Sequence, residues 1–554
     1  MFVREKTIRG YSYLYLVESV REGGRSKQRI IKNLGRKESV QANGDLERLL
    51  ASIERFSERS LVLSQLESGE MAGLSCRRIG PPLLFGRLWE ESGCQAVLAA
   101  LAGQRKFEFS LERAVFTAVL HRIMVSGSDR ACETWMADYD IPGAQGLSLH
   151  HFYRAMAWLG EELPADRQAQ ATPFAPRTVK DEVEEALFER RRDLFTDLSV
   201  VFLDTTSLAF HGAGGETLGA RGHSKDHRPD LNQMIVGAVI DSEGRPVCSE
   251  MWPGNTADVT VLLPIVDRLR QRFSIGRVCV VADRGMISAA TIAGLEERGL
   301  EYVLGVRERS ERLVREAVLE DSAPFTPLLI ERATGETQLF VKEVLADGRR
   351  YIVVRNEAET RKDRADRAAI LEALERQLKK GDKALVGNSA YRRYLRKAGE
   401  PAGTPGAAFE IDAGKLAEEA RYDGIFVLRT NARISPLQAV LRYRDLLQVE
   451  ELFRNAKALM RTRPIYHSSD APIRGHVFCS FLALVLRKEL QARCAAAGLK
   501  PEWGEVLRDL DRLQDIEFAK DGKTMGVRTP ATGVAGSLFK AVGVALPPNL
   551  RDVA

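Results

Sequence analysis

The chain has 554 residues, of which 28% are charged and 44% are hydrophobic. A chain of this length exceeds what one hydrophobic core organises, so we expect several domains of about 150 residues each. The 81 Lys and Arg nearly balance the 76 Asp and Glu, which leaves a formal charge of +5. The overall charge therefore gives little indication of a polyanionic partner.

Residues 1–40 carry a local excess of positive charge, with ten Lys or Arg against four Glu. Two strand-like segments, YSYLYLVESV and KQRIIKNLGR, flank the sequence EGGR at 22–25. The paired glycines supply the positive φ values of a hairpin turn, so the pattern predicts a basic β-hairpin over 1–40. Such a charge density attracts phosphate, and the alternative is a solvated charged face.

Residues 41–195 change to a helical pattern, with apolar residues at three- and four-residue intervals in LERAVFTAVLHRIMVSG and SLHHFYRAMAWLGEEL. This helical module is either a binding region or a scaffold.

The seven cysteines are scattered without a C-x2-C pair, so neither disulfides nor structural zinc are expected. The most apolar stretch, from Val477 to Leu486, is too short to span a bilayer, and we expect a cytoplasmic protein without membrane contact.

Residues 196–305 have the pattern of an α/β domain. A buried strand, SVVFLD, is followed by strand candidates at 232–240 and 246–251, a helix at about 257–272, the strand RVCVVAD, a helix at 288–298 and the short strand EYVLGV. This order predicts the first part of a core of the ribonuclease-H kind.

Residues 306–430 interrupt that pattern, and we interpret them as a β-containing insertion domain. They include the hairpin TQLFVKEVLADGRRYIVVR, a charged helix through 357–380 and the strand GIFVLRTN. Helices at about 436–460 and 473–494 return the chain to the core, whose second part spans 431–495. The pattern of the C-terminal region, 496–554, predicts no clear structure.

Two aspartates stand at the ends of apolar runs. Asp204 follows SVVFL and precedes two threonines, and Asp283 follows RVCVVA and precedes Arg284 and a glycine. Carboxylates at the ends of adjacent buried strands converge on one place and suit hard divalent cations. Taken singly, Asp283 also fits a helix N-cap and Asp204 an Asx turn.

A third acid lies in the segment LRYRDLLQVEELFRNAKALM. Tyr443, Glu450 and Lys457 recur every seven residues. At about 100° per residue, this spacing places them on one face of a helix. Glu450 then suits metal binding, while Lys457 and Arg454 suit DNA phosphates. The alternative is a surface pair between Glu450 and Arg454, worth about 0.2–0.5 kcal/mol.

The Y-x6-E-x6-K spacing resembles the Y-x2-R-x3-E-x6-K signature of a large branch of insertion-sequence DDE transposases. Leu446 stands where that signature has Arg, which puts one phosphate or loop contact in doubt, although Arg442 or Arg444 lie close enough in sequence to replace it. Further phrases similar to this branch are LDTTS around 204, GHSKDHRPDLNQ at 222–233, PGNTAD at 253–258, ADRGM at 282–286 and RPIYHSSDAPIRGH at 463–476.

The resemblance implies a ribonuclease-H-like core with an insertion between the second Asp and the Glu, and a DNA-end-binding role for the helical region. By the same resemblance Asp204, Asp283 and Glu450 hold two Mg2+, with Mn2+ able to substitute, and Tyr443 and Lys457 contact DNA. The implied partners are the terminal inverted repeats of the element and target DNA, bound by a homodimer at the bacterial nucleoid. The implied reaction is metal-dependent cleavage at the element ends followed by strand transfer.

Several further residues are candidates for DNA contact. Lys225 and Arg228 lie in a polar loop, where the alternative is a surface turn with Asp226 and Asp230 as partners. Trp252 suits stacking on a flipped base but fits the core equally well. Arg284 follows a proposed metal ligand. No histidine is assigned to catalysis, because His211, His223 and His227 show no metal-binding repeat.

Two other classes of function are weighed against this one. A phosphatase of the haloacid dehalogenase type needs a second Asp two residues after the first, where this chain has Thr206. A catalytically inactive DNA-binding relic or regulator derived from a transposase is the stronger alternative. Metal-dependent cleavage separates the enzyme from such a relic.

Overall fold

The structure is a computed structural model. It describes residues 2–8, 10–22, 25–42, 71–169, 171, 175–191, 200–225, 228–273, 278–306, 309, 311–332, 335–378, 391, 393–397, 409–458, 465–520 and 523–553. Three features of the sequence interpretation lie outside these residues: the turn glycines at 23–24, the loop residues Asp226 and His227, and most of the first part of the predicted helical module, 43–70.

The described residues contain eighteen strands. They are β1 (Phe2–Ile8), β2 (Tyr11–Glu22), β3 (Arg25–Arg36), β4 (Met71–Arg78), β5 (Val200–Ala209), β6 (Gln233–Ile240), β7 (Pro246–Pro253), β8 (Cys279–Ala282), β9 (Glu301–Gly305), β10 (Thr326–Arg332), β11 (Gly335–Ala346), β12 (Arg349–Asn356), β13 (Leu395–Lys397), β14 (Phe409–Ile411), β15 (Ile425–Thr430), β16 (Gln514–Lys520), β17 (Lys523–Arg528) and β18 (Leu550–Val553).

The same residues contain sixteen α-helices. They are α1 (Lys37–Ala42), α2 (Gly80–Glu91), α3 (Cys94–Ala102), α4 (Leu111–Met124), α5 (Asp129–Met136), α6 (Leu149–Leu159), α7 (Val179–Arg191), α8 (Asp258–Arg272), α9 (Ala289–Glu297), α10 (Glu357–Leu378), α11 (Ala413–Ala420), α12 (Pro436–Asp445), α13 (Leu447–Ala458), α14 (Asp470–Ala496), α15 (Trp503–Asp511) and α16 (Ala535–Val542). None of them is long and apolar enough to cross a membrane.

The chain divides into two compact units. The first comprises residues 1–77, 513–530 and 546–554, and the second comprises 78–512 and 531–545. The first unit therefore combines both ends of the chain, an arrangement that local sequence patterns do not reveal.

The first unit contains two sheets. β1, β2 and β3 form a three-stranded sheet, so the predicted basic hairpin has an additional strand at its edge. The second sheet has the order β18-β17-β16-β4. β4 lies within the segment predicted as helical, and the prediction was wrong there because the partner of this strand, β16, is more than 400 residues further along the chain.

The second unit is built on a nine-stranded sheet. Its central strands have the order β7-β6-β5-β8-β9, with β5, β8 and β9 parallel and β6 and β7 antiparallel. Counting these strands from β5 as the first gives the order 3-2-1-4-5, the topology of a ribonuclease-H-like α/β core. The strands predicted between 199 and 305, and the helices α8 and α9, are confirmed.

The predicted insertion does not form a separate sheet. Its strand β15 pairs antiparallel with β9, and β12, β11 and β10 continue the same sheet outward. An exposed edge strand offers unpaired backbone groups, so the inserted strands extend the edge of the core. The hairpin β11–β12, the helix α10 and the strand β15 lie where the sequence predicted them, and their pairing with β9 joins the inserted strands to the core sheet.

The long helix α14 is buried on nearly every side and packs against α4 and α6. Gly475 allows this close approach, since a Cβ on it would lie 2.0 Å from the carbonyl oxygen of Met156 in α6. This contact explains a glycine in the RPIYHSSDAPIRGH segment as a packing residue.

A buried ionic network joins α7 to α8 and β7. Arg272 of α8 pairs with Asp181 at 3.0 Å, Glu184 at 2.7 Å and Glu250 at 3.1 Å, and Lys180 donates to the backbone oxygen of residue 249 at 2.6 Å. Removing one member of such a network typically lowers the free energy of unfolding by about 3–5 kcal/mol, because it leaves a buried charge unpaired. The network fixes α8 on the sheet, and the first residue of α8 lies in the site described next.

Candidate active site

The register of two parallel strands brings the two predicted aspartates together. Leu203 of β5 lies opposite Ala282 of β8, so the next residues, Asp204 and Asp283, lie side by side. β8 ends at Ala282, as expected for a ligand at the end of a strand. β5 continues to Ala209 and pairs with β6, so the prediction that Asp204 ends its strand was wrong.

Alternation along β5 decides which face of the sheet Asp204 occupies. Leu203 belongs to the apolar cluster beneath α8 and α9, whereas Thr206 lines a cavity with Phe453 of α13 and Val477 of α14. Successive side chains in a strand point to opposite faces, so Asp204 shares its face with Thr206. Asp204 therefore faces the side of the sheet on which α13 packs.

The helix α13 is held against this face by Val449, Leu452 and Phe453, which are all buried. Glu450 is exposed on the same helix. The pKa of Asp204 is raised to about 6, chiefly by burial and to a smaller extent by the charges of Asp283 and Glu450, against the opposing effects of Lys225 and the Thr205 N–H. The three predicted acids thus interact electrostatically.

The predicted single helix through Tyr443, Glu450 and Lys457 is divided into α12 and α13. The chain turns at Leu446, where the N–H groups of Leu446 and Val449 donate hydrogen bonds to carbonyls three residues earlier, those of Tyr443 and Leu446. Leu446 itself is buried, so an apolar side chain packs where the family signature has Arg. Arg442 interacts with Cys279, at the opposite end of β8 from Asp283.

Tyr443 contacts one of the acids directly. Its hydroxyl donates a hydrogen bond to Asp283 Oδ1 at 3.1 Å. Burial and the neighbouring Asp283 raise the pKa of Tyr443 above its usual range, so the phenol stays a neutral donor. Its hydroxyl therefore orients the carboxylate, and contact of Tyr443 with DNA stays a prediction.

Lys225 lies in an exposed turn, from which its ammonium reaches residues beside Asp204. Its ammonium donates to the Thr205 carbonyl and hydroxyl at 2.8 Å each, and it pairs with Asp258 Oδ2 at 3.1 Å. The Thr205 hydroxyl donates to Asp258 Oδ1 at 2.7 Å. Sequence reasoning missed both Thr205 and Asp258, although an acid at the start of α8, directly after the turn PGNTA, was a visible signal.

The other predicted DNA contacts have mixed outcomes. Arg284 is exposed beside Asp283, and Arg454 is exposed one turn after Glu450 with no ion pair between those two described residues. Arg228 is exposed and pairs with Asp230 through two bonds of 2.9 and 2.8 Å, which is the surface-turn alternative. The side chain of Lys457 lies outside the described residues.

The prediction that Trp252 stacks on DNA was wrong. Trp252 is only 4% exposed and belongs to the core cluster with Ile235 and Ile265. Its ring covers Gly237 of β6, where a Cβ would lie 2.8 Å from the ring. The face of β7 that carries Trp252 is closed by α8, so no base can reach the indole.

A second polar cluster lies away from the three acids. Asp129, His467 and His476 place ligand atoms within 4.8 Å of one another, the one such group of three or more among the described residues. The buried Arg122 guanidinium lies 3.2 Å from Asp129 Oδ1 and 2.9 Å from His476 Nδ1. The Arg122 cation thus compensates the charge of Asp129, and these contacts join α4 and α5 to α14.

Asp204, Asp283 and Glu450 offer only carboxylate oxygens, the donors that hard divalent cations such as Mg2+ take. The pKa of Asp204 is raised first by burial and then by the charges of Asp283 and Glu450, and a bound cation would offset both effects. The residues present therefore fit divalent cations.

Two stretches of the chain match protein-family models. Residues 195–486 match the transposase DDE domain, and residues 3–67 match the N-terminal domain of IS1634 family transposases. None of the curated proteins compared with the sequence matches it.

Two solved structures are similar to this chain. The cryo-EM structure of the piggyBac transposase synaptic complex with hairpin DNA is 13% identical, with a TM-score of 0.37 over 78% of this chain and 79% of that chain. The Drosophila P element transposase strand transfer complex is 14% identical, with a TM-score of 0.21 over 74% of this chain and 87% of that chain.

The DDE-domain match covers more than half of the chain, and the chain belongs to the DDE transposases. It is a DNA transposase, an enzyme of the polynucleotidyl transferase and endonuclease type. Its N-terminal region, residues 3–67, is similar to the N-terminal domain of IS1634 family transposases.

Proposed function

We propose that Asp204, Asp283 and Glu450 are the catalytic acids with which this transposase cleaves the ends of its element and joins them to target DNA. The observation that carries the proposal is the register between β5 and β8, which sets the two aspartates side by side on a rigid sheet. Glu450 raises the pKa of Asp204, and this interaction supports the assignment of Glu450 as the third acid. Sites built on strands and helices hold their geometry more closely than sites on loops.

The cofactor we propose is a pair of Mg2+ ions, for which Mn2+ can substitute. Asp204, Asp283 and Glu450 would hold these ions through their carboxylate oxygens. When bound, such ions activate the attacking oxygen and stabilise the leaving oxygen of a phosphodiester.

The remaining residues of the site act on the acids and on the DNA. Tyr443 orients Asp283 through its hydroxyl, and Lys225 fixes the backbone next to Asp204 through Thr205. Arg284 directly follows Asp283, and Arg454 lies one helical turn after Glu450. Both side chains are exposed and suit contacts with phosphates. Tyr443, Glu450 and Lys457 then have the roles of the Tyr, Glu and Lys of the family signature. The buried Leu446, at the Arg position of that signature, contributes packing instead of a guanidinium.

The reaction we propose has two phosphoryl transfers. A water molecule attacks the phosphodiester at the element end and releases a 3′-hydroxyl, and that hydroxyl then attacks a phosphodiester of the target and displaces its 3′-oxygen. No covalent intermediate with the protein is needed. The substrates would be the terminal inverted repeats and target DNA, held by a homodimer that acts at the bacterial nucleoid.

The test is cleavage of a labelled duplex that carries the element's own end, with Mg2+ or Mn2+. Wild type should cut at the end, and Asp204→Asn, Asp283→Asn and Glu450→Gln should each abolish cutting while DNA binding is retained. Asp267→Asn is the matched control, because this acid pairs with Arg298 on the outer side of α8. Binding without cutting by the wild type, with either metal and with both ends supplied, would instead identify a DNA-binding relic.

A further inference from the structure

A fourth carboxylate, that of Asp258, lies close to the three acids. Asp258 is the first residue of α8, where a negative charge interacts favourably with the helix dipole. A Cβ placed on Gly285 would lie 3.9 Å from Asp258 Oδ2 and 3.9 Å from Asp283 Oδ2, so both oxygens border the same small space after the end of β8. Because carboxylates are the usual protein ligands of Mg2+, Asp258 is either a further ligand or the partner of another charge.

Both oxygens of the Asp258 carboxylate already have partners. Oδ2 pairs with the Lys225 ammonium at 3.1 Å, and Oδ1 accepts a hydrogen bond from the Thr205 hydroxyl at 2.7 Å. The ion pair is partly shielded from water, since the side chains of Lys225 and Asp258 are 30% and 23% exposed. These contacts favour Asp258 as the partner of Lys225 over Asp258 as a metal ligand.

Lys225 is held along β5, directly after Asp204. Its ammonium donates to the carbonyl and the hydroxyl of Thr205 at 2.8 Å each, and its backbone N–H donates to Ser207 Oγ at 2.9 Å. The Thr205 hydroxyl accepts from Lys225 and donates to Asp258, so these three residues form a closed set of hydrogen bonds. The ammonium is therefore directed towards Thr205 and Asp258.

An unpaired Lys225 ammonium would compete with divalent cations. Burial raises the pKa of Asp204, and Lys225 has the largest opposing effect, so its charge already acts on this carboxylate. Lysine is a compact point charge on a flexible four-carbon stem. Without the carboxylate of Asp258, the ammonium would be drawn towards the acids of the metal site. There it would neutralise charge and occupy space that the cations need.

We propose that Asp258 is a positioning residue that holds the Lys225 ammonium away from the metal site. We call this ion pair the Asp258 tether. As a pair, the two residues add no net charge, so the negative charges of Asp204, Asp283 and Glu450 remain available to divalent cations. The inference rests on the proposed function, in which those three acids hold the ions, and it assigns the neighbouring lysine and aspartate a role in metal affinity.

The test is the binding of Mn2+ to the full chain without DNA, measured from the electron paramagnetic resonance signal of free Mn2+. The proteins compared are the wild type, Asp258→Asn, Lys225→Met and the double variant Asp258→Asn/Lys225→Met. Asn keeps an oxygen that can accept the Thr205 hydroxyl but loses the charge that holds Lys225. Asp267→Asn is the matched control, because it removes an acid of the same helix that pairs with Arg298.

Asp258→Asn should bind Mn2+ about tenfold to a hundredfold more weakly than the wild type, the range typical of residues that support metal ligands without touching the metal. Lys225→Met should bind at least as tightly as the wild type, because the competing cation is absent. The double variant should bind like Lys225→Met, since Asp258 acts only through the lysine. A structural role of Asp258 would give no such recovery. Asp267→Asn should bind like the wild type.

Three results would overturn the tether alone. The first is unchanged Mn2+ affinity in Asp258→Asn. The second is a loss that persists in the double variant, which would identify Asp258 as a metal ligand or as a support of the fold. The third is an equal loss in Asp267→Asn, which would show that only the total charge matters. Mn2+ binding that is unchanged in Asp204→Asn would instead overturn the proposed function, and the tether with it.

Discussion

Replacement of Asp204 by Asn should stabilise the metal-free protein, and the gain should grow with pH. Burial of the carboxyl, with Asp283 and Glu450 nearby, raises its pKa to about 6 from the ordinary 3.8. Below 3.8 the carboxyl is protonated in both folded and unfolded chains and costs nothing. Between 3.8 and 6 the unfolded chain loses its proton first, so folding becomes less favourable, and above 6 the cost is complete.

The magnitude follows from the two pKa values. At 1.36 kcal/mol for each unit of pKa, the cost is on the order of 3 kcal/mol at pH 8 and about 1.5 kcal/mol at pH 5. Asn removes the charge but keeps an oxygen that can accept the hydrogen bond from Thr205 N, now 2.7 Å long. Urea unfolding in EDTA at the two pH values measures the difference between variant and wild type.

Two additions make this experiment decisive. Mg2+ at pH 8 should stabilise the wild type more than Asp204→Asn and so reduce the difference, since ligand binding to the folded state adds stability. Asp258→Asn is the control in the same site and should destabilise the protein at pH 8, because that carboxylate pairs with Lys225 at 3.1 Å. A gain for Asp204→Asn that is equal at pH 5 and pH 8, or a loss at both, would refute the electrostatic reasoning.

Three further predictions concern single side chains. Lys225→Met should raise the pKa of Asp204, because the Lys225 cation lowers it. The acidic limb of the pH–rate profile of cleavage should therefore move to higher pH. An unmoved limb would show that Lys225 does not influence the ionisation of Asp204. Tyr443→Phe removes a hydrogen bond to a charged group, worth about 1.5–3 kcal/mol, and should slow cleavage roughly tenfold to a hundredfold in single-turnover assays while DNA affinity stays the same; a loss of affinity instead would restore its predicted contact with DNA. Trp252→Ala should lower the free energy of unfolding by about 3–5 kcal/mol, as for other buried aromatics, and Trp252→Phe should leave DNA binding intact; weaker DNA binding by a stably folded Trp252→Phe would contradict the core assignment.

Much of the catalytic core could be read from local patterns. The strands β5, β6, β7, β8 and β9 and the helices α8 and α9 lie close to their predicted positions, because each depends on an apolar run or a helical period within a few residues. The two aspartates were visible for the same reason, as acids that follow apolar runs. The assignment of all three acids to catalysis stays a prediction.

Contacts between segments that are distant along the chain were harder to predict from the sequence. Trp252 was ambiguous because an aromatic residue after a strand has the same local pattern whether a helix covers it or solvent does. Lys225 was predicted to contact DNA, with a surface turn as the alternative, and its contacts with Thr205 and Asp258 were not visible because these residues belong to other elements. The strand β4 was missed because its pairing partner is at the other end of the chain.

The sequence by itself determined the transposase family, the ribonuclease-H-like order of strands and helices, and the three acids that are candidates for metal binding. These depend on residue types and spacings that act over one strand or one helix. The tertiary structure alone decided that Asp204 and Asp283 lie side by side, that the inserted strands extend the core sheet, and that Lys225 joins the site. The reason is that strand register and loop closure are set by the packing of the whole sheet, which no single segment encodes.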